Sequence, residues 1–184
     1  VLGAALLGFT TKASALGREV EQTRISFEVM VGSVREGQAL FKEVTELANV
    51  TPFTGRDLQG ASKLLLNFGV SAKKVIPVLK TLGDISGGDA NRLHYLTLAF
   101  AQTQAAGRLM GQDLLQMVNA GFNPLQEISR KTGLSLVVLK KKMEDGAISA
   151  GMVEAAFKGA TEEGGKFFGM MDRQSLTFEG RLST

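Results

Sequence analysis

One piece of grammar recurs along this chain of 184 residues: a glycine that ends a helix, an apolar residue, then a residue that starts the next. Gly69-Val70-Ser71 and Gly133-Leu134-Ser135 show it in full. Gly121-Phe122-Asn123 and Ile148-Ser149, just after Gly146, are variants. Glycine fits the left-handed position that closes a helix. Ser and Asn side chains accept hydrogen bonds from the first free backbone N–H groups of the next helix. The apolar residue before the cap packs against the fourth residue of that helix. The spacing pairs Val70 with Val75, Leu134 with Leu139 and Ile148 with Val153. Pro124 follows Asn123 at the first helical position, where a missing N–H is tolerated. A chain punctuated in this way is constrained to many short helices.

The stretch from Ala48 to Ser71 obeys the same rule with different residues. Thr51-Pro52 stops a helix, because the residue before proline disfavours helical dihedrals. Thr54 is then the next cap, and Phe53 and Leu58 form its staple. Upstream, Ser33 and Glu36 have the spacing of a capping box. Asp89 caps a longer helix that Gly107 ends. Pro77 lies inside a pattern that begins at Ser71, which predicts a kink or a very short first piece. From Gly164 to Gly169 the periodicity fails, and Phe27 to Val31 and Leu176 to Phe178 have short-strand alternatives. The expected fold class is all-α: a compact multi-helix domain of about nine short helices, with no solenoid period. Expected interior positions include Phe53, Leu58, Phe68, Phe100, Leu115 and Phe157.

The first segment reads differently. Leu2, Leu6, Phe9, Ala13, Leu16, Val20, Thr23, Phe27 and Met30 alternate steps of four and three, the seam of a coiled coil. Two readings stand: an amphipathic helix packed on its own domain, or a long coiled-coil-like helix that continues upstream and associates with copies of itself. Gly3, Gly8 and Gly17 weaken both through low helix propensity. The expected organisation is a helix over 1–30 and a compact helical domain over 31–184. Val1 to Phe9 lacks the basic flank and cleavage pattern of a secretory signal. The chain reads as a segment of something longer.

Catalytic and cofactor chemistry finds no residues to carry it. Hydrophobic residues make up 44%, charged residues 21%, the net charge is +3, and there is no cysteine. The single histidine, His94, lies inside a helix pattern with no nucleophile elbow elsewhere in the chain. Zinc ligands and a phosphate-cradling glycine loop are lacking too. The expectation is no enzyme, no metal and no cofactor. Leu125 to Gly146 resembles a helix-turn-helix, which keeps a helical DNA-binding module open as an alternative. Its second helix, however, opens on Leu136, Val137 and Val138, where base-reading side chains should be polar. Lys140, Lys141 and Lys142 come late, where they suit the helix dipole. Any DNA contact is therefore expected to be non-specific. No apolar run reaches the roughly 18 residues of a membrane span, and Val1 to Phe9 is the sole candidate for a membrane-surface face.

Taken in order, several short motifs resemble the N-terminal domain of phage tail tape measure proteins. They are Phe27-Glu28 with Gly32-Ser33, Thr51-Pro52-Phe53, LLNFGVS from Leu65 to Ser71, and Leu82-Gly83-Asp84. GRLMGQD from Gly107, QMVNAGFN from Gln116, Thr132 to Ser135, Gly146 to Ser149 and QSLTFEG from Gln174 follow. They run from about Ile25 to Ser183. Phe122-Asn123-Pro124 departs from a more usual Val-Pro, and the segment before Arg18 is generic helix. The resemblance implies a non-enzymatic structural role, in a long helical protein whose length sets tail length and which leaves ahead of the DNA. It implies the tail lumen as location, host cytoplasm during assembly, and tail-tube and tail-assembly proteins as partners. Thr51, Pro52, Phe53, Gly69, Ser71, Gly133 and Ser135 are then structural motif residues. Leu2, Leu6, Phe9 and Leu16 are the candidate self-association seam.

Overall fold

Helix follows helix through the whole backbone, as the punctuation requires. The computed structural model describes the backbone of residues 2–182 and the side chains of residues 17–176. Within them lie α1 (Leu2–Val31), α2 (Val34–Asn49), α3 (Gly55–Asn67), α4 (Ala72–Ser86) and α5 (Ala90–Ala106). Then come α6 (Gly111–Asn119), α7 (Pro124–Thr132), α8 (Leu136–Glu144), α9 (Ala150–Thr161) and α10 (Met170–Leu182). The fold is all-α. Ten helices stand against the expected nine or so; residues 162–169, where the periodicity fails, form turns, and Leu176 to Phe178, where a strand was an alternative, lies within α10. Phe27 to Val31 is helical as well.

The caps are where the local chemistry puts them. Thr54 and Asp57 form a reciprocal capping box. Ser33, Asp89, Ser135 and Ser149 each accept from the backbone N–H three residues on, and Asn123 accepts from Leu125. Ser71 stands at the start of α4 in extended conformation, but its side chain makes no capping hydrogen bond. Gly69 takes φ +85° beyond the end of α3, and the following N–H, from Val70, reaches back to Leu65 O at 2.9 Å. Phe122 makes the same bond to Met117 O after Gly121. Both apolar residues are buried and close the helix before them, and Val70 also has the staple position opposite the buried Val75.

Pro77 does not divide α4, which runs unbroken from Ala72 to Ser86. Its ring is exposed and lies one turn beyond the exposed Lys73, whose carbonyl loses its helical donor on the solvent side. The inward face of α4 stays intact, with Val75, Leu79 and Leu82 fully buried.

One contiguous core joins the body. Leu40, Val44, Leu58, Leu65, Leu79, Leu93, Leu96, Leu139 and Val153 lie in it with Phe27, from the last turns of α1. Phe100 and Phe122 both pack on Phe157, at ring-centroid distances of 5.4 and 4.3 Å. At the α1–α2 crossing the backbones nearly touch. A β-carbon on Gly37 would sit 2.5 Å from Glu28 Cα. Phe68 is half-buried. Leu115 contradicts the expectation: it is 59% exposed, and α6 turns Asp113 and Met117 inward instead.

Only residues 17–31 of α1, about four turns, have described side chains. Leu2, Leu6, Phe9, Ala13 and Leu16 lie outside the described residues. In the described part the seam splits: Phe27 is buried, whereas Val20 is 47% exposed. One copy of the chain thus does not confirm a coiled coil.

Phe53→Ala removes a buried ring between α2 and α3 and is expected to cost about 3–5 kcal/mol. Leu115→Ala, on the outer face of α6, is expected to stay within about 0.5 kcal/mol. Urea denaturation of both variants checks the assignment of the inward face.

Candidate functional site

Segments far apart in sequence meet at two junctions, and most of the motifs lie in or beside them. The first forms around the C-terminal half of α4. Gly83 leaves a slot that the Met171 side chain of α10 fills, and any β-carbon there would collide with the Met171 thioether. Met171 is 5% exposed. The next residue, Asp84, accepts a hydrogen bond from the Met171 N–H at 2.8 Å. A carboxylate from α4 thus caps the start of α10, where the helix dipole favours negative charge. Burial pushes the Asp84 carboxyl above the usual range, the Met171 N–H opposes this, and the nearby Asp172 charge adds to it. Gly88, just past α4, lies under Pro52 and Gln174. Ser175 Oγ is 3.0 Å from both Val50 O and Met171 O, and donates to one of them at a time. Leu82-Gly83-Asp84, Thr51-Pro52-Phe53 and Gln174-Ser175 therefore belong to one place.

The second junction ties the end of α5 to the start of α9. Leu109 N–H donates to Ile148 O at 2.8 Å, and Ala150 N–H donates to Gly107 O at 2.9 Å. This pairing around Arg108 and Ser149 is an isolated antiparallel bridge; the described residues form no strand. The Arg108 side chain covers Gly146. Asp113, 6% exposed, lies beside this clasp in the first turn of α6. Burial raises its pKa, while hydrogen bonding to the Met110 N–H and the Thr103 hydroxyl pulls the other way. Opposite, Arg92 Nε donates to Ala120 O at 3.0 Å and its guanidinium covers Gly121.

These junctions are made for packing and hydrogen bonding. Thr51, Pro52 and Phe53 lie at the first; Gly69 and Ser71 form the α3–α4 turn; Gly133 and Ser135 form the α7–α8 turn. The last pair makes a genuine helical corner, but Leu134 remains partly exposed over the buried Leu139. The first turn of α8 presents apolar side chains, with Val137 79% exposed. His94 is exposed on α5, its ring edge-on to Tyr95. Among the described residues no group of three His, Cys, Asp or Glu could hold a metal ion. No helix there is long and apolar enough to cross a membrane. Sequence reasoning missed Asp84, Met171 and Asp113 as junction residues. Asp84 and Asp113 lie in visible motifs and Met171 in none; the partners that give each a role lie elsewhere in the chain.

Residues 11–184 match the family described as tape measure protein. The chain belongs to that family, whose members are structural proteins of phage tails. No curated protein and no solved structure matches the chain.

Asp113 yields a pH dependence. Its folded-state pKa lies above that of an unfolded Asp, so the folded chain holds the proton over the interval between the two values. Stability contributed by this group is present below that interval and is lost as pH rises through the folded pKa. Asp113→Asn keeps an oxygen acceptor for the Met110 N–H and cannot ionise. Its melting temperature relative to the parent chain is expected to rise as the pH is raised from the ordinary Asp range, about pH 4, toward neutral. A difference that stays flat over that range, in thermal unfolding followed by circular dichroism, would contradict the assignment.

Proposed function

We propose that this chain is the part of a tape measure protein that helps to set tail length during assembly and leaves the tail ahead of the DNA. The family match over residues 11–184 carries the reading. An all-helical body whose motif residues serve junctions fits a structural part. In this reading the chain occupies the tail lumen, reaches it from the host cytoplasm, and meets the tail-tube and assembly proteins. The test is in the phage. An in-frame deletion of residues 33–176 from the parent gene is expected to shorten the tails or abolish them. Electron micrographs showing normal numbers of tails of the parental length would overturn the proposal.

Self-association through α1 is the second element of this reading. The alternating four-three apolar steps that run from Leu2 to Met30 in the sequence support it, since a seam of that spacing is what associating helices share. Leu2, Leu6, Phe9 and Leu16 then meet the same helix of another copy, while 31–184 folds as the compact unit. Removing Val1 to Gly8 is expected to leave the melting temperature almost unchanged and to reduce self-association in sedimentation velocity. Unfolding of the shortened chain would instead make the seam an inward face.

A further inference from the structure

We infer that the cleft between the start of α5 and the end of α6 is a binding site for a short peptide segment of a partner protein, held through its main-chain amides. The cleft has a volume of about 350 Å³, the size of a small-ligand pocket. Two residues of its α6 wall have no task in the fold. In the motif that runs from Gln116 to Asn123, Met117 and Phe122 pack in the core, Gly121 lies under Arg92 and Asn123 caps α7. Among the described residues the Gln116 and Asn119 side chains find no hydrogen-bond partner, and Gln116 Oε1 is buried as well. A buried acceptor left unpaired is unfavourable. A rotation of the side chain presents that oxygen to an N–H in the cleft.

The α5 wall supplies the opposite chemistry. Arg92 is half-buried and spends only its Nε–H, on Ala120 O; among the described residues its guanidinium has no carboxylate partner. Its terminal nitrogens are donors on a rigid fork. Asp89, one oxygen of which caps α5, lines the same wall and is an acceptor. Donors and acceptors thus alternate within one small space. A peptide main chain alternates them in the same way, with a carbonyl for Arg92 and an N–H for Gln116 or Asp89. A phosphate would instead meet the Asp89 charge beside a single cation. Tyr95, 54% exposed at the rim, offers a flat face to an apolar side chain of the peptide, and the exposed Leu115 and Val118 continue the apolar surface along α6. Tyr and Arg are the residue types that carry much of the binding energy at protein interfaces. The inference holds whether or not the chain sets tail length.

A displayed library of random seven-residue peptides, selected on the intact chain, tests this. The recovered peptides, added to the labelled chain, are expected to shift the backbone amide signals of residues 89–95 and 116–121 in NMR and to leave those of α8 and α9 in place. Gln116→Leu is similar in size and removes the unpaired oxygen. It is expected to weaken peptide binding about 5-fold in fluorescence polarisation, with the melting temperature unchanged or higher. Tyr95→Ala, on the exposed rim, should weaken binding by a similar factor and leave the melting temperature as it was; if Gln116→Leu fails to fold, Tyr95→Ala and the NMR map decide. Recovery of no peptide, peptides that map to another face, or equal binding by the folded variants and the parent chain would overturn the inference.

Discussion

A single apolar residue shared between two helix ends governs how this chain folds. Val70 closes α3 through its bond to Leu65 O and, from the same buried position, staples the start of α4 on Val75. Phe122 closes α6 through the same bond and supplies a ring to the cluster with Phe157. Short helices are marginal alone, since the first turn costs more than it returns. Fixing the exit of one and the approach of the next with one side chain removes the freedom of the connection. Burial then supplies most of the stabilisation. Where the shared residue is poorly covered, as with Leu134, the following helix α8 contributes a single buried side chain, Leu139.

The glycines have a second use that their frequency alone does not reveal. At Gly83, Gly121 and Gly146 a side chain from another element lies over the missing β-carbon: Met171, Arg92 and Arg108. At Gly37 it is the backbone of α1 itself that comes close. The loss of helix propensity at Gly37 and Gly83, up to about 1 kcal/mol each, is offset by contacts that a side chain would prevent. These positions bring together motifs that are scattered along the chain.

This division explains what could be read from the sequence. Caps and staples depend on residues within five positions of one another, so Thr54, Asp89, Asn123, Ser135 and Ser149 were legible. Ser71 has the right place and dihedrals, yet makes no side-chain bond. Leu115 was misjudged because Leu114 and Leu115 are adjacent and a helix of nine residues has too few repeats to decide between them. The burial of Asp113 beside the α5–α9 clasp settles the phase. The start of α10 was not legible because its cap, Asp84, lies 87 residues before Met171. No local rule finds a carboxylate at that distance. The all-α class survived these errors because it rests on the caps, which repeat.

Local helices and distant clasps do different work in this molecule. The bonds from Leu109 to Ile148, from Ala150 to Gly107 and from Met171 to Asp84 are few, and each contributes only about 0.5–3 kcal/mol. Their value is directional. A hydrogen bond fixes the angle between two elements, which apolar contact leaves loose. In an enzyme such rigidity holds reacting groups in place. Here the motif residues around the clasps are occupied in capping, packing and backbone pairing, so the geometry itself is what they preserve. For a structural tail protein that is a sufficient role: helices fixed at defined angles give the body a definite outline, and a definite outline is what neighbouring subunits can recognise.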